Sequence, residues 1–298
     1  DEAGASTALL NPKSSSTTFY KKGAWVLFLL HEKVGDKAFK KAIINYLIDY
    51  QFKNVETANF IKAVEKTSGK NLTEFVETWL ESDIFHYNSL RAFLAKKSLD
   101  YKVFFELDCE DSKQQCLNFL ETSKNNYLKA EVVNRLQGEF PINLFNSKDT
   151  KLRQALAQSL YDIPFEQKAI YESFLKDKSY TTIETALFNL WRNFPLERKK
   201  YLNLTQGIEG FNNKNVRILW LTLAFITNDY NPINKRSYLN ELTDYTSPKY
   251  GFEVRQNAFL YLQQIQACKE VCKENLEQAT THHNWRFKKF AKEMLKIK

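Results

Sequence analysis

The chain has 298 residues, of which 43% are hydrophobic and 26% charged, a balance typical of globular rather than disordered proteins. Its 8 glycines and 6 prolines are too few for the many tight turns of a β-sandwich, so the composition favours helices joined by short connections. The net charge of +8 could attract nucleic acid, but 43 basic residues are interleaved with 35 acidic ones without a long basic run. We therefore do not expect nucleic acid as a partner, and no apolar run is long enough to predict a membrane span.

The first part of the chain shows helical periodicity with clear start and stop signals. Residues 24–30 are apolar, which predicts a helix buried on nearly all sides. Gly35 can end this helix and Asp36 can cap the next. Thr57 and Asn71 are placed to open a third and a fourth helix. Helices spaced this closely leave no room for a sheet.

Residues 81–137 are less regular. Tyr101–Leu107 has the composition of a strand, but its surroundings are helical, and we favour short helices there. The predicted fold class is therefore all-α.

The chain contains four cysteines: Cys109, Cys116, Cys268 and Cys272. The last two lie four residues apart in a helical pattern, which places them on one face of a helix rather than in a compact metal-binding knuckle. A zinc site of four thiolates is the alternative. We expect buried free thiols.

A weak repeat follows residue 145. Each of several predicted amphipathic helices opens with an apolar residue and a charged one: Leu152-Arg153, Ile183-Glu184, Val216-Arg217, Val254-Arg255 and Trp285-Arg286. Successive pairs are separated by the length of two helices and a turn, and such a helix pair cannot bury its apolar face alone. We predict an irregular array of HEAT- or armadillo-like helical repeats, with an irregular helical bundle as the alternative. Four side chains should be buried between stacked helices: Leu156, Leu187, Trp220 and Phe259.

No complete catalytic motif occurs in the chain. Helical zinc peptidases carry H-E-x-x-H, in which two histidines one helical turn apart bind the metal. Here His31-Glu32 is followed by Lys33, Val34 and Gly35, so the second histidine is missing. The other histidines, His86, His282 and His283, have no second ligand at a suitable spacing. Motifs alone therefore give no enzyme, and no metal or cofactor site is predicted within this chain.

Short segments between Phe19 and Leu80 nevertheless form a distinctive series. They are Tyr20-Lys21-Lys22-Gly23-Ala24, Gly35-Asp36, Asn54-Val55-Glu56-Thr57-Ala58-Asn59-Phe60, Ser68-Gly69-Lys70-Asn71-Leu72, Phe75 and Trp79-Leu80. In order and spacing the series resembles the zinc aminopeptidases of the aminopeptidase N family, which carry Y-x-K-G-A at the head of a buried helix. The resemblance covers about a fifth of the chain.

The resemblance implies a zinc aminopeptidase that removes N-terminal residues from peptides. In that family the metal is bound by H-E-x-x-H and a Glu on the following helix, and a G-x-M-E-N segment recognises the substrate's amino terminus. These motifs are absent here, so we expect them, and the zinc, in an upstream catalytic domain of the same polypeptide. The chain alone should be inactive. Cytoplasm and periplasm both stay open as locations.

The same resemblance divides the chain into two parts. Residues 1–84 would be the C-terminal helical part of a thermolysin-like catalytic domain. Residues 85–298 would be a helical-repeat domain that walls the substrate cavity. The alternative function is a non-catalytic helical-repeat scaffold that keeps an aminopeptidase-like shell and binds proteins.

Tyr20 is the single catalytic residue that the resemblance assigns to this chain. Attack of water on a peptide carbonyl places negative charge on the carbonyl oxygen, and a phenol that stays protonated at neutral pH can donate a hydrogen bond to it. Tyr20 is therefore the expected oxyanion stabiliser in the parent enzyme. We interpret Lys22 as structural, and expect Gly23 to permit close packing at the start of the helix.

Overall fold

The computed structural model describes residues 7–136 and 138–296, and within these ranges the chain forms helices and loops but no strand. The all-α prediction is confirmed, including short helices around residues 101–107. No described helix combines the length and apolar character needed to cross a bilayer. The chain divides into two compact units, Asp1–Phe93 and Leu94–Lys298, which we call the N-terminal and C-terminal units. The expected domain boundary after residue 84 stays a prediction.

The N-terminal unit consists of helices α1 to α4 and the beginning of α5. Their bounds are α1 Gly23–Val34, α2 Asp36–Tyr50, α3 Thr57–Ser68, α4 Thr73–Val76 and α5 Tyr87–Lys97. Two π-helical turns accompany them: Thr18–Lys22 runs directly into α1, and Glu77–Glu81 continues α4. Gly35, with a φ of +88°, separates α1 from α2 as predicted, because this left-handed conformation is accessible mainly to glycine.

Helix α1 is less buried than its sequence predicts. Leu30 is buried in the small core of the unit, but Leu27 and Phe28 are 47% and 40% exposed. The prediction of a helix buried on nearly all sides is therefore wrong, because the described residues of this unit cover only one side of it. Helix α2 is also exposed on one side. We call the resulting surface the α1–α2 apolar face, defined by Leu27, Phe28, Ile44, Leu47 and Ile48.

The C-terminal unit contains the remaining helices. Their bounds are α6 Leu99–Glu106, α7 Lys113–Thr122, α8 Asn126–Arg135, α9 Ile142–Phe145, α10 Thr150–Ser159, α11 Lys168–Tyr171, α12 Tyr180–Asn193, α13 Arg198–Thr205, α14 Asn215–Ile226, α15 Lys235–Asp244, α16 Phe252–Gln264, α17 Glu270–Ala279 and α18 Trp285–Met294. Helices α8, α10, α12, α14, α16 and α18 stack in chain order, each packed against the next, and α9, α13, α15 and α17 pack against this stack.

The core of the C-terminal unit lies within this stack. The four side chains predicted to be buried, Leu156, Leu187, Trp220 and Phe259, are completely buried, one on each of α10, α12, α14 and α16. The predicted helix faces are therefore correct. The HEAT or armadillo type of the array stays a prediction.

Arginines near the starts of α10, α14 and α16 link these helices to neighbouring segments. Arg153 forms an ion pair with Asp177, and Arg217 forms one with Glu241. Arg255, which is 1% exposed, instead donates to the carbonyl oxygens of Thr246 at 2.8 Å and Asn275 at 3.0 Å. In Leu152-Arg153, Val216-Arg217 and Val254-Arg255 a buried apolar residue is thus followed by an arginine that bonds to a neighbouring segment, whereas Trp285 of the fourth apolar–Arg pair is 64% exposed.

The four cysteines form two disulfides, Cys109–Cys116 and Cys268–Cys272, so the prediction of free thiols is wrong. Helix α17 begins only at Glu270, which leaves Cys268 in the preceding loop instead of on the face of the helix. Its Cα atom lies 5.1 Å from that of Cys272, a separation that a disulfide spans. The other bridge joins the loop before α7 to the first turns of that helix in the same way.

Candidate functional site

Tyr20 lies in the middle of the π-helical turn Thr18–Lys22, at the point where the chain enters α1. The residue is 79% exposed, and its hydroxyl has no hydrogen-bond partner among the described residues. π-Helical turns are rare and occur frequently at functional sites, because the extra residue in the turn changes the direction of the side chains it carries. The turn thus presents a phenol hydroxyl whose donor is free for another molecule.

An open apolar cavity of about 480 Å³ lies beside Tyr20. Its lining comes from the N-terminal segment and from α1, α3 and α4, and includes Leu10, Val26, Phe60 and Phe75. Tyr20 is the lining residue with an exposed phenol, so the site combines an apolar concavity with a single hydrogen-bond donor. Such a combination suits a ligand with an apolar group next to a polar acceptor.

Lys22 belongs to the same π-helical turn but points inward, since only 7% of it is exposed. Its Nζ atom donates to the carbonyl oxygen of Thr7 at 2.9 Å and to that of Ser82 at 3.1 Å. Burial lowers the pKa of Lys22, and the charge of Asp83 opposes this shift. These contacts support the structural interpretation of Lys22, but its partners could not be read from the local sequence, because they lie 15 and 60 residues away.

Gly23 does not have the role predicted for it. A Cβ atom at this position would meet Leu9 Cδ1 at 3.7 Å, which is an ordinary van der Waals contact. The described residues leave space for a larger side chain here, so the prediction of close packing at the helix start is wrong.

The histidines do not converge on a metal site. His31 Nε2 lies 3.2 Å from Asp36 Oδ1, and His282 stacks on His283 with ring centroids 4.1 Å apart. Within residues 7–136 and 138–296, no three His, Cys, Asp or Glu side chains are grouped to hold a metal ion. The residues of this chain that the structure describes therefore do not fit a zinc ion.

Residues 12–79, which include Tyr20 and Lys22 and most of the N-terminal unit, match the sequence model of the "Peptidase family M1 domain". This segment belongs to peptidase family M1. We call it the M1 segment. This match agrees with the aminopeptidase N resemblance that rests on Tyr20-Lys21-Lys22-Gly23-Ala24 and the motifs that follow it.

Several curated proteins are similar to the chain. Aminopeptidase A of Gloydius brevicauda is 40% identical over 60 residues, which cover 20% of this chain and 6% of that protein. Aminopeptidase N of Lactococcus lactis subsp. lactis is 29% identical over 102 residues, covering 34% of this chain and 12% of that protein. Probable aminopeptidase 1 of Sulfurisphaera tokodaii is 20% identical over 246 residues, which cover 77% of this chain and 30% of that protein.

The chain therefore corresponds to only 6 to 30% of the length of these relatives. The longest of these three matches extends well beyond the M1 segment and into the C-terminal unit. No solved structure matches the chain.

Proposed function

We propose that this chain is part of an aminopeptidase in which the Tyr20 hydroxyl stabilises the negative charge on the carbonyl oxygen of the scissile peptide bond. The observation that carries the proposal is the exposed hydroxyl of Tyr20, unpartnered within the described residues, on a π-helical turn of the M1 segment. A phenol that stays protonated at neutral pH donates a hydrogen bond, and this bond strengthens as charge develops on the acceptor. Because the hydroxyl has no such partner to leave, a substrate oxygen can take its hydrogen bond at no structural cost.

The catalytic metal of this aminopeptidase is proposed to be zinc, held by residues outside this chain. The described residues do not fit the ion, and Tyr20 acts on the carbonyl oxygen whatever activates the attacking water. The proposed partner of the M1 segment is the remainder of the catalytic domain, upstream in the same polypeptide. The exposed α1–α2 apolar face supports this partner, since a contiguous apolar surface of this kind marks an interface. Without that partner we expect no peptidase activity.

The C-terminal unit is proposed to form a wall of the substrate cavity and so to limit which peptides reach Tyr20. The support comes from the similarity to probable aminopeptidase 1 of Sulfurisphaera tokodaii, which includes much of this unit. Its stacked helices are packed around a continuous buried core, which makes their outer surface rigid.

The proposal is tested by Tyr20→Phe in the full-length protein, which removes one donor and almost no volume. We expect kcat to fall by ~10²–10³, as for other lost oxyanion donors, with KM and thermal stability little changed. Tyr127→Phe is the matched control, because Tyr127 is also largely exposed. A Tyr20→Phe variant within about threefold of normal kcat would remove Tyr20 from the mechanism. A full-length protein without any peptidase activity would favour the scaffold function instead.

A further inference from the structure

The side chain of Lys22 is buried although lysine is among the residue types that are least often buried. No carboxylate of the described residues forms an ion pair with it, and its ammonium group bonds only to two carbonyl oxygens. A charge removed from water costs free energy unless its hydrogen bonds are made in good geometry, and for Lys22 the charge of Asp83 offsets part of that cost. The position of Lys22 is therefore set by where those two carbonyl groups lie.

The two carbonyl groups belong to segments that are distant in the sequence. Thr7 lies before the π-helical turn Thr18–Lys22, and Ser82 directly follows the second π-helical turn, Glu77–Glu81. Lys22 thus joins one π-helical turn to the end of the other. Thr7 contacts the first turn a second time, since its hydroxyl lies 3.4 Å from that of Thr18.

Tyr20 and Lys22 occupy the same turn and lie two residues apart, so their side chains leave it in different directions. One is 79% exposed and the other 7%. The amide of Thr18, at the start of the turn, donates to Ser15 Oγ at 3.2 Å, and Lys22 anchors the last residue of the turn. Anchoring Lys22 on the inner side therefore fixes the rotation of the turn, and with it the direction of the Tyr20 hydroxyl on the outer side.

We propose that Lys22 is a positioning residue for Tyr20, whose buried ammonium group holds the turn that aims the phenol at the substrate oxygen. The inference rests on the proposed function of Tyr20. It goes further because it states that Lys22, which touches no substrate, determines the direction of the Tyr20 hydroxyl. It also explains a buried lysine that packing alone would replace with an apolar side chain.

The test is a double-mutant cycle in the full-length protein, with Tyr20→Phe, Lys22→Met and the double variant. Met keeps the length of the side chain and loses the donors. We expect Lys22→Met to lower kcat by roughly 10- to 10²-fold with KM little changed, since small misplacements of catalytic groups have effects of this size. In the Tyr20→Phe background the same change should lower kcat by less than about threefold, because the group it positions is gone. Lys22→Arg, which keeps the charge and donors, should recover part of the loss.

Lys21→Met is the matched control, since Lys21 lies in the same turn with its side chain exposed. It should leave kcat unchanged. If Lys22→Met does not fold, Lys22→Arg carries the same cycle. Equal losses of kcat in both backgrounds, or a normal kcat in Lys22→Met, would overturn the positioning role while leaving that of Tyr20 intact.

Hydrogen exchange of the backbone amides gives a readout that does not depend on activity. In Lys22→Met the amides of Thr18–Lys22 should exchange faster than in Lys21→Met, whereas those of α14 should not change. Unchanged exchange in the turn would also overturn the inference. If Tyr20→Phe itself leaves kcat normal, the proposed function fails first, and the exchange data still report separately whether Lys22 anchors the turn.

Discussion

Arg217 and Glu241 are joined by two parallel hydrogen bonds, from Nε to Oε1 at 2.8 Å and from Nη2 to Oε2 at 2.6 Å. Tyr245 donates a third bond to Glu241 Oε1 at 2.9 Å. Burial by itself would raise the pKa of Glu241, but the hydrogen bonds from Arg217 and Tyr245 and the charges of Arg217 and Lys214 bring it below its ordinary value. The pair links α14 to α15 and so connects two consecutive helices of the C-terminal unit.

This pair makes the stability of the chain depend on pH in acid. A carboxyl group with a lowered pKa in the folded state stabilises the fold fully above the ordinary glutamate pKa of about 4.3, and the contribution is lost as the pH falls through the folded value. We expect Glu241→Gln to lower the free energy of unfolding at pH 7 by about 1 kcal/mol, a figure reduced for the partial exposure of the pair. Denaturant melts should show that the free energies of unfolding of the Glu241→Gln variant and the unsubstituted protein differ less below pH 4 than at pH 7. The exposed Glu253, changed to Gln, is the control, and a difference that grows in acid would contradict the assignment.

Trp220 is the anchor of α14. It is completely buried, its Nε1 donates to the Leu202 carbonyl oxygen at 2.8 Å, and its ring meets that of Tyr238 edge to face at 5.2 Å. Trp220→Ala should therefore lower the free energy of unfolding by about 3–5 kcal/mol. Trp285→Ala, at a site 64% exposed, should cost less than about 0.5 kcal/mol. A loss below ~1 kcal/mol for Trp220→Ala would mean that the cavity collapses or that the helix faces are assigned wrongly.

Both disulfides should contribute to stability. A bridge over such a short stretch of chain lowers the entropy of the unfolded state, and this stabilises the folded state by about 2 kcal/mol for each disulfide. We expect the double replacement Cys268→Ala and Cys272→Ala to lower the free energy of unfolding by about that amount, measured without reductant. The purified chain should show no reactive thiol until it is reduced. Four thiols that react in the unreduced, unfolded chain would contradict both bridges.

The isolated chain should bind no stoichiometric zinc and release no amino acid from an aminoacyl anilide. The reason is that the described side chains offer no group of ligands, and the resemblance places the family's zinc motif upstream. Elemental analysis after dialysis and an aminopeptidase assay check the two statements. About one zinc per chain together with turnover would contradict the proposal that the metal is bound by residues outside this chain.

Much of the N-terminal unit could be predicted because its signals are local. Gly35 ends α1, and α2 and α3 begin at Asp36 and Thr57. The prediction that Asp36 caps α2 is wrong, because the N-cap positions of α2 and α3 are Gly35 and Glu56, and the Glu56 amide donates to Asn59 Oδ1 at 2.8 Å. The burial of Trp220 and Phe259 could likewise be predicted, since the spacing of apolar residues along a helix determines which face turns inward.

Long-range contacts and small shifts of helix ends could not be predicted. An apolar run such as residues 24–30 indicates a helix but not what covers each side of it. The acceptors of Lys22 come from distant segments, so their convergence depends on the tertiary fold. Helix α17 begins at Glu270 and not before Cys268. Cys268 therefore lies in a loop, from which it can bridge to Cys272, and not on the face of the helix.

The α1–α2 apolar face has a consequence for every measurement of stability on this chain. Ile44, Leu47 and Ile48 are 56%, 60% and 61% exposed, and Ile44 lies three and four residues before the other two, on the same side of α2. A patch of this kind is expected to draw chains together as their concentration rises. Because association removes folded monomer by mass action, the apparent melting temperature should then increase with protein concentration. Extrapolation to infinite dilution gives the stability that belongs to the single chain.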